Sequence, residues 1–211
     1  MNGKQVTKKS NSQMSKISMF EEDAGAGVGN LGQEDLALPF LKLLQKNNAT
    51  DFTKSDGNVA SPGDILNTVS SEIYSGKDGL RVIPCAYQRR WIEWSPMNDG
   101  QKGPVNIFLP HQKLPKYERS PEDNKEYIVD GGGNYLEDTH NHFILVVDDD
   151  NIASSALIAM RSTGLKKSKK WNSQIASLVL QGENGPFVPP RYSHIYNLKT
   201  VLEQGKNNYT W

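Results

Sequence analysis

The sequence predicts a mainly β protein of the α+β class, with antiparallel strands, one main α-helix and a disordered N-terminal arm. Short apolar segments recur along the chain between turn-forming Gly, Pro, Asn and Asp residues, which is the pattern of antiparallel strands. One later segment has its apolar residues at helical spacing instead. Mean hydropathy is −0.62, which is polar for a compact chain and indicates that part of it is unfolded.

The predicted arm covers residues 1–35, which are rich in Ser, Asn, Gly and Lys. Its run AGAGVGNLG at 24–32 lacks the spacing of a phosphate-binding loop, and no strand precedes it, so it is interpreted as a linker. We expect one domain over residues 36–205, followed by a short polar tail at 206–211 that ends in an aromatic residue.

The strands are predicted from apolar runs that are bounded by turn residues. Pro39 favours an extended conformation for the apolar segment that surrounds it, because the residue before a proline avoids the helical region. Pro84 allows a bulge in the longest run. A hairpin is expected over 142–162, where two apolar runs are joined by the turn-forming string DDDN. The other predicted strands are 65–75, 80–94 and 105–110, with loops at 48–64 and 111–126 and a Gly-rich turn within 126–137.

The helix is predicted over residues 163–182, with Ser162 or Thr163 as its cap and Gly182 at its end. A last strand is expected over 188–203. Several strands, one helix and a last strand suit a small antiparallel barrel closed by one helix, and the five-stranded OB-fold is the obvious member of that class. Another α+β sandwich is the alternative. The buried face of the helix is expected to carry Trp171, Ile175, Leu178 and Val179.

Charge is segregated along a chain whose formal net charge is zero. Residues 1–20 carry four lysines and no acid, 118–150 carry ten acids against two bases, and 151–182 carry five bases and no acid. This pattern allows one basic and one acidic face on a neutral molecule, although charges clustered on solvated surfaces would give the same pattern.

The composition also predicts an intracellular protein. The single Cys85 excludes an internal disulfide framework and a multi-cysteine zinc site, and it fits a reducing compartment. The N-terminus lacks the apolar core of a signal peptide, and no apolar run reaches the length of about 18 residues that a transmembrane helix needs. No interaction with a membrane is therefore expected.

The long strand 80–94 mixes aromatic and basic side chains. Because alternate residues of a strand share a face, Tyr87, Arg89 and Trp91 are expected on one face. Arg90 and Trp94 are expected on the other. Nucleobases stack on aromatic rings for roughly 1–3 kcal/mol each, and arginine pairs with phosphate or stacks on a base. One face must belong to the core, and the sequence leaves open which face that is.

Four lysines lie in the first turns of the predicted helix, and Arg161 lies just before it. Cations at this end oppose the helix dipole and cost roughly a few tenths of a kcal/mol each. Their presence without an acid indicates an anion such as a phosphate, unless they only form a solvated face. The four are Lys166, Lys167, Lys169 and Lys170.

A third basic and aromatic group lies in the predicted last strand. On an extended strand Tyr192, His194 and Tyr196 share one face, and Arg191 and Lys199 share the other. An aromatic row of this kind is compatible with base stacking, and equally with packing against the helix.

No catalytic site, metal site or cofactor is predicted. The string HNH at 140–142 spells the name of a nuclease motif, but in that motif the residues are spread over a ββα-metal unit. Its histidines could still bind a divalent ion together with Asp130, Glu137 and Asp138. Cys85 has no adjacent base, and no GxSxG, HExxH or Walker pattern is present.

Several segments resemble tailed-bacteriophage proteins, common in marine phages, of a single-stranded DNA-binding family. They are residues 20–45, 62–96, 165–171 and 191–198, and together the likeness covers most of the chain. The resemblance implies an OB-like fold and a role in phage DNA replication or recombination in the cytoplasm of an infected bacterial host. It implies no catalytic residues. An acidic C-terminal tail, which many replicative single-strand binders carry, is missing here.

The sequence thus predicts a protein that is not an enzyme and that binds single-stranded DNA with little sequence preference. The expected partners are single-stranded DNA and phage replication proteins, and the oligomeric state is not determined. The alternatives are a single-strand annealing recombinase, a metal-dependent nuclease and a virion structural protein.

Overall fold

The described part of the chain is mainly β structure with one α-helix, α1 (Gly164–Ala176). The computed structural model describes Ala24, Ala26, Gly32, residues 35–96, Gly100, residues 103–204 and residues 209–210. The strands in chain order are β1 (Leu41–Leu43), β2 (Ile65–Asn67), β3 (Ile73–Tyr74), β4 (Leu80–Trp94), β5 (Asn106–Phe108), β6 (Tyr117–Arg119), β7 (Glu126–Ile128), β8 (Tyr135–Val147), β9 (Ala153–Arg161), β10 (Leu180–Gly182), β11 (Gly185–Phe187), β12 (Tyr196–Leu198), β13 (Glu203–Gln204) and β14 (Tyr209–Thr210).

Residues 38–211 form one structural unit and residues 1–37 another. Nearly all of the predicted arm lies outside the described residues. Within the predicted tail, β14 pairs with β13 in a two-stranded sheet.

A seven-stranded sheet is the centre of the fold, and its longest strands, β4 and β8, pair antiparallel along most of their length. The order is β12-β4-β8-β7-β6, with β5 also on β4 and β9 also on β8. Smaller antiparallel sheets contain β1-β2-β3 and β10-β11. The described strands form open sheets and no closed barrel, so the structure confirms the mainly β class and the antiparallel pairing but not a barrel.

The elements with the strongest sequence patterns are where they were predicted. β4 has the predicted bounds, and β1 brings Leu41 into the core. β8 and β9 form the predicted hairpin, but β8 begins at Tyr135, seven residues before the predicted start, and so contains the HNH string. α1 begins next to Thr163, although the Thr163 side chain makes no capping hydrogen bond.

Several elements predicted from weaker patterns differ from the structure. Residues 65–75 form the hairpin β2–β3 instead of one strand, because Asn67 accepts hydrogen bonds from the turn amides of Val69 and Ser70. α1 ends at Ala176, and the hairpin β10–β11 follows it. Leu178 and Val179 therefore lie beyond the helix, and Val179 is exposed. β6 lies within the segment predicted as a loop.

The expected bulge in β4 decides which side chains share a face. The pairing register with β8 shifts between Pro84 and Ala86 and leaves Cys85 without a partner. Val82 pairs with Val146 before the shift, and Tyr87 pairs with His142 after it. Even-numbered residues before the bulge and odd-numbered residues after it therefore lie on the same face of the sheet.

We call this face the inner face, because α1 packs on it, and the opposite one the outer face. Trp171 and Ile175 of the helix join the buried inner-face residues in one cluster, so Trp171 is a core residue. The main sheet contributes Leu80, Val82, Ile144, Val146 and Ala156 to that cluster, and the β1-β2-β3 sheet contributes Leu41 and Ile65. A second cluster around Leu44 and Leu66 lies beside the β1-β2-β3 sheet.

No helix among the described residues is long and apolar enough to span a membrane.

Candidate nucleic-acid interface

Three of the predicted strand residues lie on the inner face, next to a row of polar residues on β8. Tyr87 pairs with His142, Arg89 with His140, and Trp91 with Asp138. The bulge at Cys85 produces this arrangement, because without the extra residue the parity of the apolar residues Leu80 and Val82 would continue to Gln88 and Arg90. The Tyr87 side chain remains 36% exposed.

Arg89 contacts both an acidic and an aromatic side chain on this face. Its Nε and Nη2 donate to the two oxygens of Asp138 at 2.9 and 2.8 Å, and its guanidinium carbon lies 4.2 Å from the centre of the Trp91 ring. The hydrogen bonds to Asp138 raise the pKa of Arg89 above its usual value. Because this ion pair is bidentate, the charge of Arg89 is largely neutralised within the protein.

Arg191 approaches the same face from a 3-10 turn, Arg191–Ser193, that lies against β4. Its guanidinium carbon lies 5.7 Å from the Tyr87 ring centre and 5.9 Å from that of Trp171. Its Nη2 donates to His142 Nδ1 and to Asn172 Oδ1, both at 3.0 Å. Burial lowers its pKa, and no described carboxylate forms an ion pair with it.

A buried polar network connects the sheet to α1 beneath these residues. Ser168 Oγ lies 2.7 Å from His140 Nδ1 and 2.7 Å from His142 Nε2, and both Ser168 and His142 are fully buried. The His142 ring also stacks on Trp171 with ring centres 4.7 Å apart. Burial, with smaller contributions from Arg191 and His140, lowers the pKa of His142 to about 4, so the ring is neutral.

The helix brings lysines towards the same region. Burial lowers the pKa of His140. The charge of Asp138 opposes this shift, and the positive charges of Arg89 and Lys169 add to it. Lys169 follows Ser168, whose hydroxyl contacts this histidine. Lys166, Lys169 and Lys170 are exposed and form no ion pair among the described residues, whereas Lys167 contacts Glu203. The first turn of α1 contains no acidic residue.

We call the group of Tyr87, Arg89, Trp91, Lys169 and Arg191 the inner patch. It contains residues from all three groups that the sequence singled out.

Other predicted site residues lie on the outer face, away from the inner patch. Trp94 Nε1 and Arg161 Nη1 both donate to Glu137 Oε2, at 3.2 and 3.1 Å. Arg90 Nε donates to Gln88 Oε1 at 2.8 Å. The structure therefore divides the basic and aromatic residues of 87–94 between two faces, and only one set adjoins the helix.

The residues after Arg191 do not form the predicted continuous strand. Tyr192 lies in the 3-10 turn with 63% of its surface exposed, because the chain turns there before β12 begins. Tyr196 pairs with Val82 and packs against the core, with its ring centre 6.1 Å from that of Trp171. Tyr192 and Tyr196 therefore do not form one aromatic row, and Lys199 lies exposed beyond β12.

Sequence reasoning did not predict the buried network. The sequence pattern indicates only a metal-binding role for His140 and His142, and no role for Ser168 and Asn172. Their signal is present: polar residues occupy alternate positions 138, 140 and 142 of a strand whose next inward residue is Ile144. Among the described residues, no group of three or more His, Cys, Asp or Glu side chains could hold a metal ion.

Fold and site together define a mainly β protein in which basic and aromatic side chains gather beside its one described helix. A family model described as Pam3 phage gp34-like protein matches residues 7–211, and the chain belongs to this family. It is therefore a bacteriophage protein. No curated protein and no solved structure matches the chain.

Proposed function

We propose that the protein binds single-stranded DNA with little sequence preference through the inner patch, and protects it during phage DNA replication or recombination. The observation that carries the proposal is the convergence of three distant segments. Tyr87 and Arg89 of β4 pair with the two histidines of β8, and Arg191 of the 3-10 turn bonds to one of them. Lys169 of α1 follows Ser168, which contacts both histidines. Lys169 and Arg191 supply cations that form no ion pair among the described residues, whereas the charge of Arg89 is paired with Asp138, and β4 supplies two rings.

The chemistry of these groups suits an unpaired strand. A ring that is partly exposed, such as that of Tyr87, can stack on a base, and such stacking is worth roughly 1–3 kcal/mol per base for any base. Arg191 and the lysines of α1 can bind phosphates, and this contact carries no sequence information. We therefore expect binding that is strongly dependent on salt and tolerant of sequence.

The OB-like character of the fold belongs to the same proposal. OB-folds bind oligonucleotides on a curved antiparallel sheet, and the antiparallel strands β4, β8 and β9 are the part of this chain that would take that role. In this proposal the protein acts without catalysis, in the cytoplasm of the infected bacterium, with single-stranded DNA and phage replication proteins as its partners.

The test is a comparison of two charge-reversed variants. In the first, Lys166, Lys167, Lys169 and Lys170 are all changed to Glu. In the second, four exposed lysines elsewhere are changed to Glu, which alters the net charge by the same amount; these are Lys42, Lys46, Lys77 and Lys113. Binding of a labelled oligo(dT) and of a duplex is measured by fluorescence anisotropy at several NaCl concentrations.

We expect the wild-type protein to bind oligo(dT) more tightly than duplex. The helix variant should lose most of this affinity, and the salt dependence of binding should flatten by about 0.7 in log–log slope for each phosphate that is no longer bound. The control variant should be affected much less. Equal effects in the two variants would mean that only net charge matters, and absence of binding in the wild-type protein would reject the function itself.

A further inference from the structure

The two histidines of the HNH string form a buried hydrogen-bond network, and the proposed function assigns this network no role. They project from the inner face of β8 and converge on one fully buried hydroxyl, that of Ser168 on α1, at 2.7 Å each. Buried polar groups are costly unless they are paired, so a three-residue network between a sheet and a helix has to offset that cost.

The contact with Arg191 fixes the proton of His142, and one arrangement of the other protons then gives a continuous chain of hydrogen bonds. Arginine can only donate, so His142 Nδ1 must accept from Arg191 Nη2. A neutral His142 then carries its proton on Nε2 and donates it to Ser168 Oγ. In that arrangement the Ser168 hydroxyl donates to His140 Nδ1, and the proton of His140 lies on Nε2, which is 3.8 Å from Asp138 Oδ1 and has no hydrogen-bond partner among the described residues. We infer this arrangement, in which the hydrogen bonds run in one direction from Arg191 to His140.

Arg191 differs from Arg89 because no carboxylate among the described residues balances its charge. Arg89 has a carboxylate partner in Asp138. Arg191 is half-buried and has only neutral partners among the described residues, and its Nε is buried with no hydrogen-bond partner there. A partly desolvated cation without a counter-charge is unfavourable, and an anion would resolve this.

We propose that His142, Ser168 and His140 are positioning residues that hold Arg191 as the cation that binds a phosphate group in this patch. The source of that phosphate, the backbone of a single strand, rests on the proposed function. Asn172 Oδ1 accepts a second hydrogen bond from the Arg191 guanidinium and helps to fix its orientation. Ser168 and both histidines are buried and cannot contact DNA themselves. The network therefore acts by orienting the Arg191 side chain.

The first experiment uses inorganic phosphate and needs no DNA. Thermal unfolding is followed in phosphate and in chloride at equal ionic strength for the wild-type protein, Arg191→Met, Ser168→Ala and the control Arg119→Met on exposed β6. Phosphate should raise the Tm of the wild-type protein and of the control, and should raise it much less in Arg191→Met and Ser168→Ala. An equal rise in all four proteins would overturn the proposal.

The second experiment measures binding of oligo(dT) by the same proteins. Arg191→Met should bind about 10-fold more weakly, with a salt slope smaller by about 0.7, as expected when one phosphate is no longer bound. Ser168→Ala should bind several-fold more weakly and show the same reduced slope, although it retains Arg191. A Ser168→Ala protein with the wild-type slope would show that the network stabilises the fold and does not position Arg191.

The proton arrangement is tested in the wild-type protein, so the result does not depend on whether a variant folds. Imidazole ¹⁵N NMR should show both His140 and His142 protonated on Nε2, and Arg191→Met should shift Nδ1 of His142. A proton on Nδ1 of His142 would exclude the contact with Arg191. If phosphate and NMR results agree with the proposal while no DNA binds, the phosphate site stands and the proposed function fails.

Discussion

At the scale of single residues, His142 has the most constrained environment in the site. It is fully buried, its ring stacks on Trp171, and its two nitrogens bond to Arg191 and Ser168. The neighbouring groups that can carry charge are Arg191 itself and His140, and both oppose a positive charge on His142. The ring must therefore stay neutral for the arrangement to persist.

This environment predicts a pH-dependent stability. The folded protein lowers the pKa of His142 from 6.5 to about 4, so the unfolded chain takes up the proton first. The free energy of unfolding should therefore fall as the pH falls from 6.5 towards 4, by on the order of 3 kcal/mol from this residue. Urea unfolding across this range should show a steeper decline for the wild-type protein than for His142→Gln.

The matched control for that measurement is His111→Gln, because His111 is exposed. It should keep the pH dependence of the wild-type protein. If His142→Gln and the wild-type protein decline in parallel, His142 does not titrate between folding and unfolding, and its environment has been misjudged.

At the scale of elements, local patterns predicted the long strand, the β8–β9 hairpin and the start of the helix. Apolar alternation and helical spacing are repeated often enough in these segments to dominate, and the DDDN string marks the hairpin turn. β5 lies within the strand predicted over 105–110, whereas β6, β10 and β11 were not predicted, because three residues carry too little periodicity to be distinguished from a loop. β6 is stabilised by hydrogen bonds to β7, which no pattern within β6 encodes. The hairpin β10–β11 does have a local turn signal in Asn184–Gly185, just beyond the end of the predicted helix.

One turn between elements is fixed by close packing and gives a further prediction. A Cβ on Gly76 would lie 1.9 Å from Gly63 O and 2.2 Å from Thr200 Oγ1. Thr200 Oγ1 also donates to Gly63 O at 2.7 Å, and Thr200 N donates to Gly76 O at 2.9 Å. Gly76→Ala should therefore lower the free energy of unfolding by about 1–3 kcal/mol, as overpacking does, in a urea denaturation experiment.

Gly103→Ala serves as the comparison, because a Cβ there meets no described atom within 4 Å. Its stability should stay within about 0.5 kcal/mol of the wild-type protein. If both alanine variants were equally stable, the loop before β2, the turn after β3 and the segment after β12 would not be packed as tightly as the contacts indicate.

At the scale of the whole molecule, the charge segregation seen along the sequence is only partly kept in the fold. The acidic residues of 118–126 lie on and around β6 and β7, at the end of the main sheet opposite to β12. The lysines of α1 belong to the helix that covers the inner face. The basic and aromatic residues of β4, however, divide between the inner and outer faces.

This division predicts that the two faces contribute unequally to DNA binding. Two double variants remove the same charge: Arg89→Gln with Arg191→Gln on the inner patch, and Arg90→Gln with Arg161→Gln on the outer face. We expect the inner pair to weaken oligo(dT) binding at least about 10-fold more than the outer pair, since removing an arginine that binds a phosphate costs about 1.4 kcal/mol or more. Filter binding with oligo(dT) measures the difference.

The opposite ranking would place the strand on the outer face, where Trp94 and Arg161 share Glu137. Equal effects would mean that neither face is the specific binding surface.

The sequence by itself determined the local structure of this protein: a long aromatic and basic strand, an acidic hairpin turn, and a helix that starts with lysines. Each of these depends on interactions within a few residues, which a pattern can encode. Only the tertiary structure decided which of those side chains meet. One unpaired residue at Cys85 changes the parity of β4, and pairing with β8 then brings Arg89 and Tyr87 beside residues about fifty positions further along the chain. Interactions across such a separation depend on strand register and on the position of the helix, and neither can be predicted from the pattern of a single segment.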